Sequence, residues 1–562
     1  MSLISLMLGI YMMLFLVMDN FLDYDYFMKS LSISSFSITL DNLSFGYGFV
    51  VMFISGSVFL FSLNYMDGDF MSLRFGWMVI FFISSMLMVV YSGSLMHLFI
   101  GWDLLGISSF LLVIYFENSS SASAGYFTAI VNRLGDSGFV ILFCYFICMN
   151  IISGDFIFLM DVEGLSLYLI LVGLFFLAGF TKSAQFPFCA WLPAAMAAPT
   201  PVSALVHSST LVTAGVFLLV RYSYFFMGNL FWQEVFMFIS GLTSVLAGFC
   251  ASVEQDMKKI VALSTLSQLG FMCYSISIGA PEIGALHMMV HALFKASMFI
   301  CAGGLIHSIG GGQDLRFFGG ICSGGGLLSV ILLFNLFSLC GMPFMSGYYS
   351  KDLIMEMGVI AAINSFSYSL MIIAMILTSY YTLRLGWYLG GGVSHFSSIM
   401  SWGGVSNFFI MLSAMILSTF SFFWFGVLFE YLIIWPHDEN LYMSLKVTDV
   451  IIFMLIFLFG VSSLLMNFYI NPFKNYYFLF QRDMWMLNIS TTQMFSMFIM
   501  KFSVIYYMFD LIYMEILSSQ GFNKVMSNSM NYVENVRRGG YMLVFMWLWL
   551  ILMWLMVFMY VI

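Results

Sequence analysis

The chain has 562 residues, of which 62% are hydrophobic and only 8% charged, with a formal net charge of −9 at pH 7. An ordinary soluble domain carries about 25% charged residues, so this composition excludes a soluble fold, and the apolar runs exceed the roughly 20 residues that one spanning helix needs. The acidic balance, with no basic cluster beyond Lys258-Lys259 or Arg537-Arg538, argues against nucleic-acid binding, and 8 scattered cysteines without a C-x-x-C pair leave no support for a disulfide framework, iron–sulfur cluster or zinc site.

Apolar length and breaker residues predict an all-α polytopic membrane protein of about 15 spans. The alternation of barrel strands is absent. The first span, 2–18, lacks a basic leader and a small-residue cleavage pattern, so it reads as a helix that stays. After the polar segment 19–41 come spans at 45–64, 75–91, 95–116, 124–150 and 166–181, the last with a broken continuation. Further spans follow at 202–220, 230–252, 260–278, 283–307 and 324–342, the last again with a broken continuation. The series ends with 366–387, 405–429, 450–468 and 541–562. The glycine triplets at 310–312, 324–326 and 390–392 fit no nucleotide loop and read as loop or close-packing glycines.

The stretch around Lys182 organises the chain. Four of the 8 prolines lie there, Pro187, Pro193, Pro199 and Pro201. Proline removes a backbone donor, and broken backbone at membrane depth must line protein or a watery cavity. Lys182 is the one fixed charge between Glu163 and Arg221, beside a helix break, which points to an ion path, although snorkelling to the interface also fits. Pro343, just before Lys351 and Asp352, marks a second broken span in the other half. Paired interruptions of this kind point to inverted repeats around a transport path.

Further ionisable groups sit inside apolar spans. His287, His291 and Lys295 are four residues apart twice, hence on one helix face, with Lys295 near mid-span. Asp103 is the one fixed charge between Phe75 and Phe116. Intramembrane ionisable groups are functional by default. His207, taken alone, reads as a core histidine. Arg133 and Asp136, three residues apart, read as a structural ion pair that could also tune a neighbouring lysine. Between 481 and 540 runs a long mixed segment. As one helix, its roughly 55 residues would reach about 80 Å, more than twice the hydrocarbon thickness, so it would lie along the membrane plane. No dinucleotide fingerprint, phosphate loop or nucleophile elbow appears. The bias toward Phe, Met and Tyr is typical of AT-rich mitochondrial genes.

The run TKSAQFPFCAWLPAAMAAPTPVSALVHSSTLVTAGVFLLVR strongly resembles the central motif of the antiporter-like subunits of respiratory complex I. GWDLLGISSFLLVIYF, NRLGDSGF, DMKKIVALSTLSQLGFM, HMMVHALFKASMF and GMPFMSGYYSKDLI match the same family in the same order, over about 41–388. The segment after 481 resembles the lateral helix that one class of these subunits carries and the sister chains 2 and 4 lack. The resemblance implies an N-terminal region (1–70), two antiporter-like repeats (71–225 and 226–390), C-terminal spans (391–480), a lateral amphipathic helix (481–540) and a final span (541–562).

The resemblance also implies roles. Asp103 stands where most relatives have the glutamate of GWEG, as acidic partner of Lys182 in the first broken helix. His207 links Lys182 onward, His287, His291 and Lys295 form the middle of a hydrophilic axis, and Lys351 with Asp352 is its terminal site. Arg133 and Asp136 fill an NRxGD ion pair. Aspartate at 103 is one methylene shorter than the family's glutamate. Family members commonly have two hydrophobic segments where this chain has only 2–18, which would reduce sixteen spans to fifteen. The implied function is proton translocation in the mitochondrial inner membrane. No cofactor or metal is expected on this chain, with NADH, FMN, iron–sulfur clusters and ubiquinone on other subunits. The implied partners are other complex I membrane subunits, chain 4 along the lateral helix, accessory subunits and phospholipids such as cardiolipin. The alternative is a stand-alone cation/proton antiporter subunit.

Overall fold

A computed structural model describes residues 39–148, 165–318, 327–361 and 365–390, except 228 and 344. It also describes 2, 5–6, 31–33, 36–38, 410, 412–419, 484–485, 487, 494–509, 519–537, 547 and 551–554. The expected spans 2–18, 405–429, 450–468 and 541–562 lie largely outside these residues, as does much of the expected lateral helix. The chain divides into two units, Met1–Leu487 and Asn488–Ile562.

The first unit is helical, apart from a short antiparallel hairpin of β1 (Leu31–Ile33) and β2 (Phe36–Ile38). Its helices begin with α1 (Asn42–Tyr65), α2 (Ser72–Val90), α3 (Leu95–Val113), α4 (Ser119–Cys148) and α5 (Leu165–Lys182). After short turns come α6 (Thr200–Val206) and α7 (Leu211–Arg221), then α8 (Leu230–Val253), α9 (Met257–Ile278) and α10 (Pro281–Ser308). The series continues with α11 (Leu327–Cys340), α12 (Ser346–Ala361) and α13 (Ser365–Gly390). Among the described residues, 9 helices are long and apolar enough to cross a membrane, counting α6 and α7 as one span. The second unit contains α14 (Met494–Tyr507) and α15 (Ser519–Arg537).

Burial orders these helices into layers. The α6–α7 span, α9 and α10 are enclosed throughout, whereas α2, α3, α4 and α13 bury less than half of their apolar windows. The enclosed helices bury many polar residues, among them Ser264, Thr265, Ser267 and Gln268 on α9 and His287, His291 and Lys295 on α10, as expected where polar side chains bond across helices. Close approach depends on glycine where backbones meet. A Cβ on Gly135 of α4 would come 1.9 Å from Thr181 Oγ1, and one on Gly215 of α7 would come 2.7 Å from the Ser183 backbone nitrogen. These two contacts clamp the end of α5 between α4 and α7.

The break after α5 follows the prolines. Pro187 caps a short 3-10 turn, Phe188–Ala190, which leads into one helical turn at Trp191–Ala194 and a second 3-10 turn at Ala195–Ala197. Ala198, before Pro199, is extended (φ −65°, ψ 158°), the conformation a following proline imposes. Pro199 and Pro201 stand at the far end of the break, where they start α6 as its N-cap and first-turn residue, positions at which a missing N–H costs nothing.

Residues 202–220, expected as one span, are interrupted at 207–210. The hydroxyls of Ser208, Ser209 and Thr210 donate back to the carbonyls of Ala204 and Leu205, competing with the helical ladder. The hydroxyl of Tyr47 donates to the freed Ser209 carbonyl at 2.7 Å. The second break, near Pro343, begins at Gly341, whose φ of +86° ends α11. A Cβ on Gly347, in the first turn of α12, would come 2.0 Å from the Ser338 carbonyl oxygen, so α12 restarts hard against the end of α11.

Candidate functional site

Lys182, the last residue of α5, is 0% exposed. Its ammonium donates to the Trp102 carbonyl at 2.5 Å, stands 3.8 Å from the centre of the Trp102 ring and lies 4.0 Å from Asp136 Oδ1. The Gly135–Thr181 contact explains why Asp136 is the carboxylate that arrives, because it sits one residue beyond the tightest approach of α4 to α5.

Asp103 does not occupy the place expected of it beside Lys182. Its carboxylate pairs with Arg133, whose guanidinium also lies 3.6 Å from Asp136 Oδ2. The four groups form a row, Asp103, Arg133, Asp136 and Lys182, with two charges of each sign. The row has an open half and a buried half. The side chains of Asp103 and Arg133 are 35% and 53% exposed, while those of Asp136 and Lys182 are 8% and 0%.

His207 closes α6 and is buried. Its ring lies 6.3 Å from that of Trp191, whose indole N–H donates to the Thr181 carbonyl at 3.0 Å. Trp191 therefore stands between the Lys182 end of α5 and the break at 207. His287, His291 and Lys295 are all 0% exposed on α10, with the two imidazoles 6.1 Å apart. Lys295 donates to the Ser264 hydroxyl and, at 3.4 Å, to the Val261 carbonyl, both on α9. His287 Nδ1 shares a 2.9 Å hydrogen bond with Ser350.

Ser350 precedes Lys351, so α10 meets the second broken span here. Lys351 is 1% exposed, donates to the Leu339 carbonyl at the end of α11 and stands 5.6 Å from the Phe271 ring centre. The carbonyl it takes is one that the break leaves without a helical donor. Asp352 is half-buried on the same turn.

Each buried lysine thus has an oxygen partner, and for Lys182 the partners include a carboxylate, that of Asp136. Lysine at membrane depth persists only in such polar surroundings. Sequence reasoning missed Trp102, Trp191, Ser264 and Ser350. The cluster of Ser, Thr and Gln inside the apolar span 260–278 was the one available signal for Ser264. Nothing in the sequence marked the two tryptophans.

Comparison with known proteins identifies the family. The family model described as "NADH:quinone oxidoreductase/Mrp antiporter, TM" matches residues 92–384, which hold every group described above except Tyr47. NADH-ubiquinone oxidoreductase chain 5 of Anopheles gambiae is 43% identical over 401 residues, 70% of this chain and 68% of its own length. The chain 5 proteins of Lumbricus terrestris and Locusta migratoria are 38% and 37% identical, covering 91% of this chain and 88% and 90% of their own lengths. Among solved structures, a chain of the Mrp complex from Dietzia sp. DQ12-45-1b has the same fold, with a TM-score of 0.65 over 92% of this chain and 55% of that one at 22% identity.

Proposed function

Because the chain belongs to the NADH-ubiquinone oxidoreductase chain 5 family, within the wider NADH:quinone oxidoreductase/Mrp antiporter group, we propose that it is a proton-translocating membrane subunit of NADH:ubiquinone oxidoreductase. Its work is to move protons while electron transfer proceeds on other subunits, which hold NADH, FMN, iron–sulfur clusters and ubiquinone. The observation that carries this reading is the set of three enclosed lysines, Lys182, Lys295 and Lys351, spread over three elements of a membrane bundle. Packing gives no reason to bury one such group, and three on one polar axis call for transport.

In this mechanism Asp136 stabilises the Lys182 ammonium, and Arg133 divides its charge between Asp136 and Asp103. A shift of Arg133 toward Asp136 weakens the hold on Lys182, because a carboxylate already paired offers less to a second cation. The released proton passes by way of His207 to the His287, His291 and Lys295 face and on to Lys351 with Asp352. The stand-alone antiporter reading gives way to this one, since the chain 5 likeness extends over nine-tenths of the chain.

The remaining parts of the proposal are a fifteen-span topology with two broken spans as inverted repeats, a lateral helix across 481–540 and residence in the mitochondrial inner membrane. Membrane subunits of the same complex, chain 4 along the lateral helix, accessory subunits and cardiolipin are the proposed neighbours. Asp103 and Arg133 support a neighbour at α3 and α4, because a partly open charge pair near mid-span needs a polar cover that lipid tails do not give. Substitution of Lys182→Met in the assembled complex, reconstituted in sealed vesicles, lowers the number of protons moved per electron pair. A full ratio in that variant would reject the role of Lys182.

A further inference from the structure

A groove of about 350 Å³ runs along the seam of α11 and α13, lined by residues from Leu333 to Cys340 on one helix and from Thr382 to Gly390 on the other. Thr382 adjoins Cys340, and Gly386 adjoins Leu333, so the two helices run antiparallel here. The Cys340–Thr382 end is buried, and the other end opens beside Trp387, which is 51% exposed, and Gly390. From Thr382 to Gly390 α13 rises about 12 Å, close to the depth of one leaflet, about 15 Å of the hydrocarbon core. Arg384 shows which end of α13 meets the membrane surface, because it donates to the carbonyls of Ala251, Ser252 and Glu254 where α8 ends. Trp387 and Tyr388 are exposed near that end, as aromatic side chains are at the headgroup boundary. The groove therefore opens at the surface and ends inside the hydrocarbon.

Two glycines keep it open. Gly386 and Gly390 have the spacing at which membrane helices usually approach one another. Among the described residues none does so here: a Cβ on Gly386 would meet a Leu333 methyl at an ordinary 3.6 Å, and one on Gly390 would meet nothing within 4 Å. Volume over length gives the recess a mean section of roughly 30 Å², or about 6 Å across. A helix needs about 10 Å and does not fit. An extended hydrocarbon chain, whose carbons touch their neighbours at about 4 Å, does. An empty recess would forfeit those contacts, and apolar cavities of about 150 Å³ already take up a hydrocarbon. Thr382 directs no donor into the groove, since its hydroxyl bonds back to the carbonyls of Thr378 and Ser379 at 2.9 and 3.0 Å.

We infer that this groove is a lipid site. It holds one acyl chain of a phospholipid from the leaflet at the α8–α9 connection, with the end of that chain against Cys340 and Thr382. Leu339, next to Cys340, gives its carbonyl to Lys351, so the acyl chain is the hydrocarbon wall beside the second break. The site goes beyond the proton-transfer reading and needs only that the helices lie in a bilayer.

The test places the assembled complex in vesicles that contain a phosphatidylcholine bearing a diazirine, either at the terminal carbon of one acyl chain or beside its carboxyl end. After illumination, labelled residues are mapped by mass spectrometry. The terminal diazirine labels Cys340 and Thr382, and the one near the carboxyl end labels Trp387 and Gly390. Phe334, exposed on α11, reports ordinary contact with lipid. Gly386→Leu fills the groove, so label on Cys340 and Thr382 disappears while label on Phe334 stays. Leu333→Phe narrows the groove from the other wall and serves if Gly386→Leu does not assemble. Label on Phe334 without label on Cys340 or Thr382 in the wild type would overturn the site, as would label there that survives a groove-filling variant. Absence of label from all of these residues would mean that protein covers the seam, and would overturn it too. Pumping is not a readout, so none of these outcomes touches the roles given to the three lysines.

Discussion

The row Asp103, Arg133, Asp136 and Lys182 makes a quantitative forecast, because its two carboxylates differ in burial and in reach. Asp136→Asn removes a unit charge 4.0 Å from the Lys182 ammonium, an interaction of about 4 kcal/mol at the effective dielectric of about 20 suited to protein sites. Removing one member of a buried pair costs about 3–5 kcal/mol by a separate line of measurement, in agreement. Asp103→Asn removes a charge that touches Arg133 and is 35% exposed, where pairs are worth about 0.2–1 kcal/mol. The pumping rate, measured in vesicles with each variant complex, therefore falls more than tenfold for Asp136→Asn and less than about fivefold for Asp103→Asn. Equal losses, or a larger loss for Asp103→Asn, would refute this ordering. They would return Asp103 to the place that the family pattern gives the glutamate.

Two further outcomes follow from packing. Gly347→Ala pushes a Cβ to 2.0 Å from the Ser338 carbonyl, a backbone atom that cannot rotate away, so the second break does not form and native gels show loss of the assembled complex. Arg221→Gln gives up its bonds to the Val90 carbonyl, Thr39 and Asp41, which tie the end of α7 to α2 and the segment before α1; charged hydrogen bonds of this kind are worth about 1.5–3 kcal/mol each, and the thermal midpoint of the complex falls with pumping per electron pair retained.

Much of this was legible in the sequence because membrane helices obey two strong constraints, length and apolar continuity. The boundaries of α3, α8 and α9 lie within a few residues of those read from hydropathy. Lysines and histidines inside apolar runs are equally visible, since so few residues there are charged. Two kinds of feature were not visible. One is the break at 207–210, which depends on hydroxyls bonding back to their own helix and on Tyr47 arriving from α1. A Ser-Ser-Thr run sits in many unbroken spans, so its effect needs the tertiary partner. The other is the choice of acid for Lys182. Spacing ties Arg133 to Asp136, but only the approach of α4 to α5 at Gly135 decides which carboxylate reaches the lysine.

The differing partners of the three lysines bear on how a proton can move at all. An amine bonded to neutral oxygens, as Lys295 is to Ser264 and the Val261 carbonyl, can lose its proton without leaving a buried anion behind. Lys182 cannot, since its neutral form would strand Asp136 in the core, at a cost of several kcal/mol. Arg133 removes that obstacle, because its guanidinium already lies 3.6 Å from the same carboxylate and can cover it as the lysine discharges. The pair that sequence spacing presents as structural is thus what makes the first lysine able to let go. In the proposed mechanism its half-open partner Asp103 holds Arg133 back while Lys182 is charged.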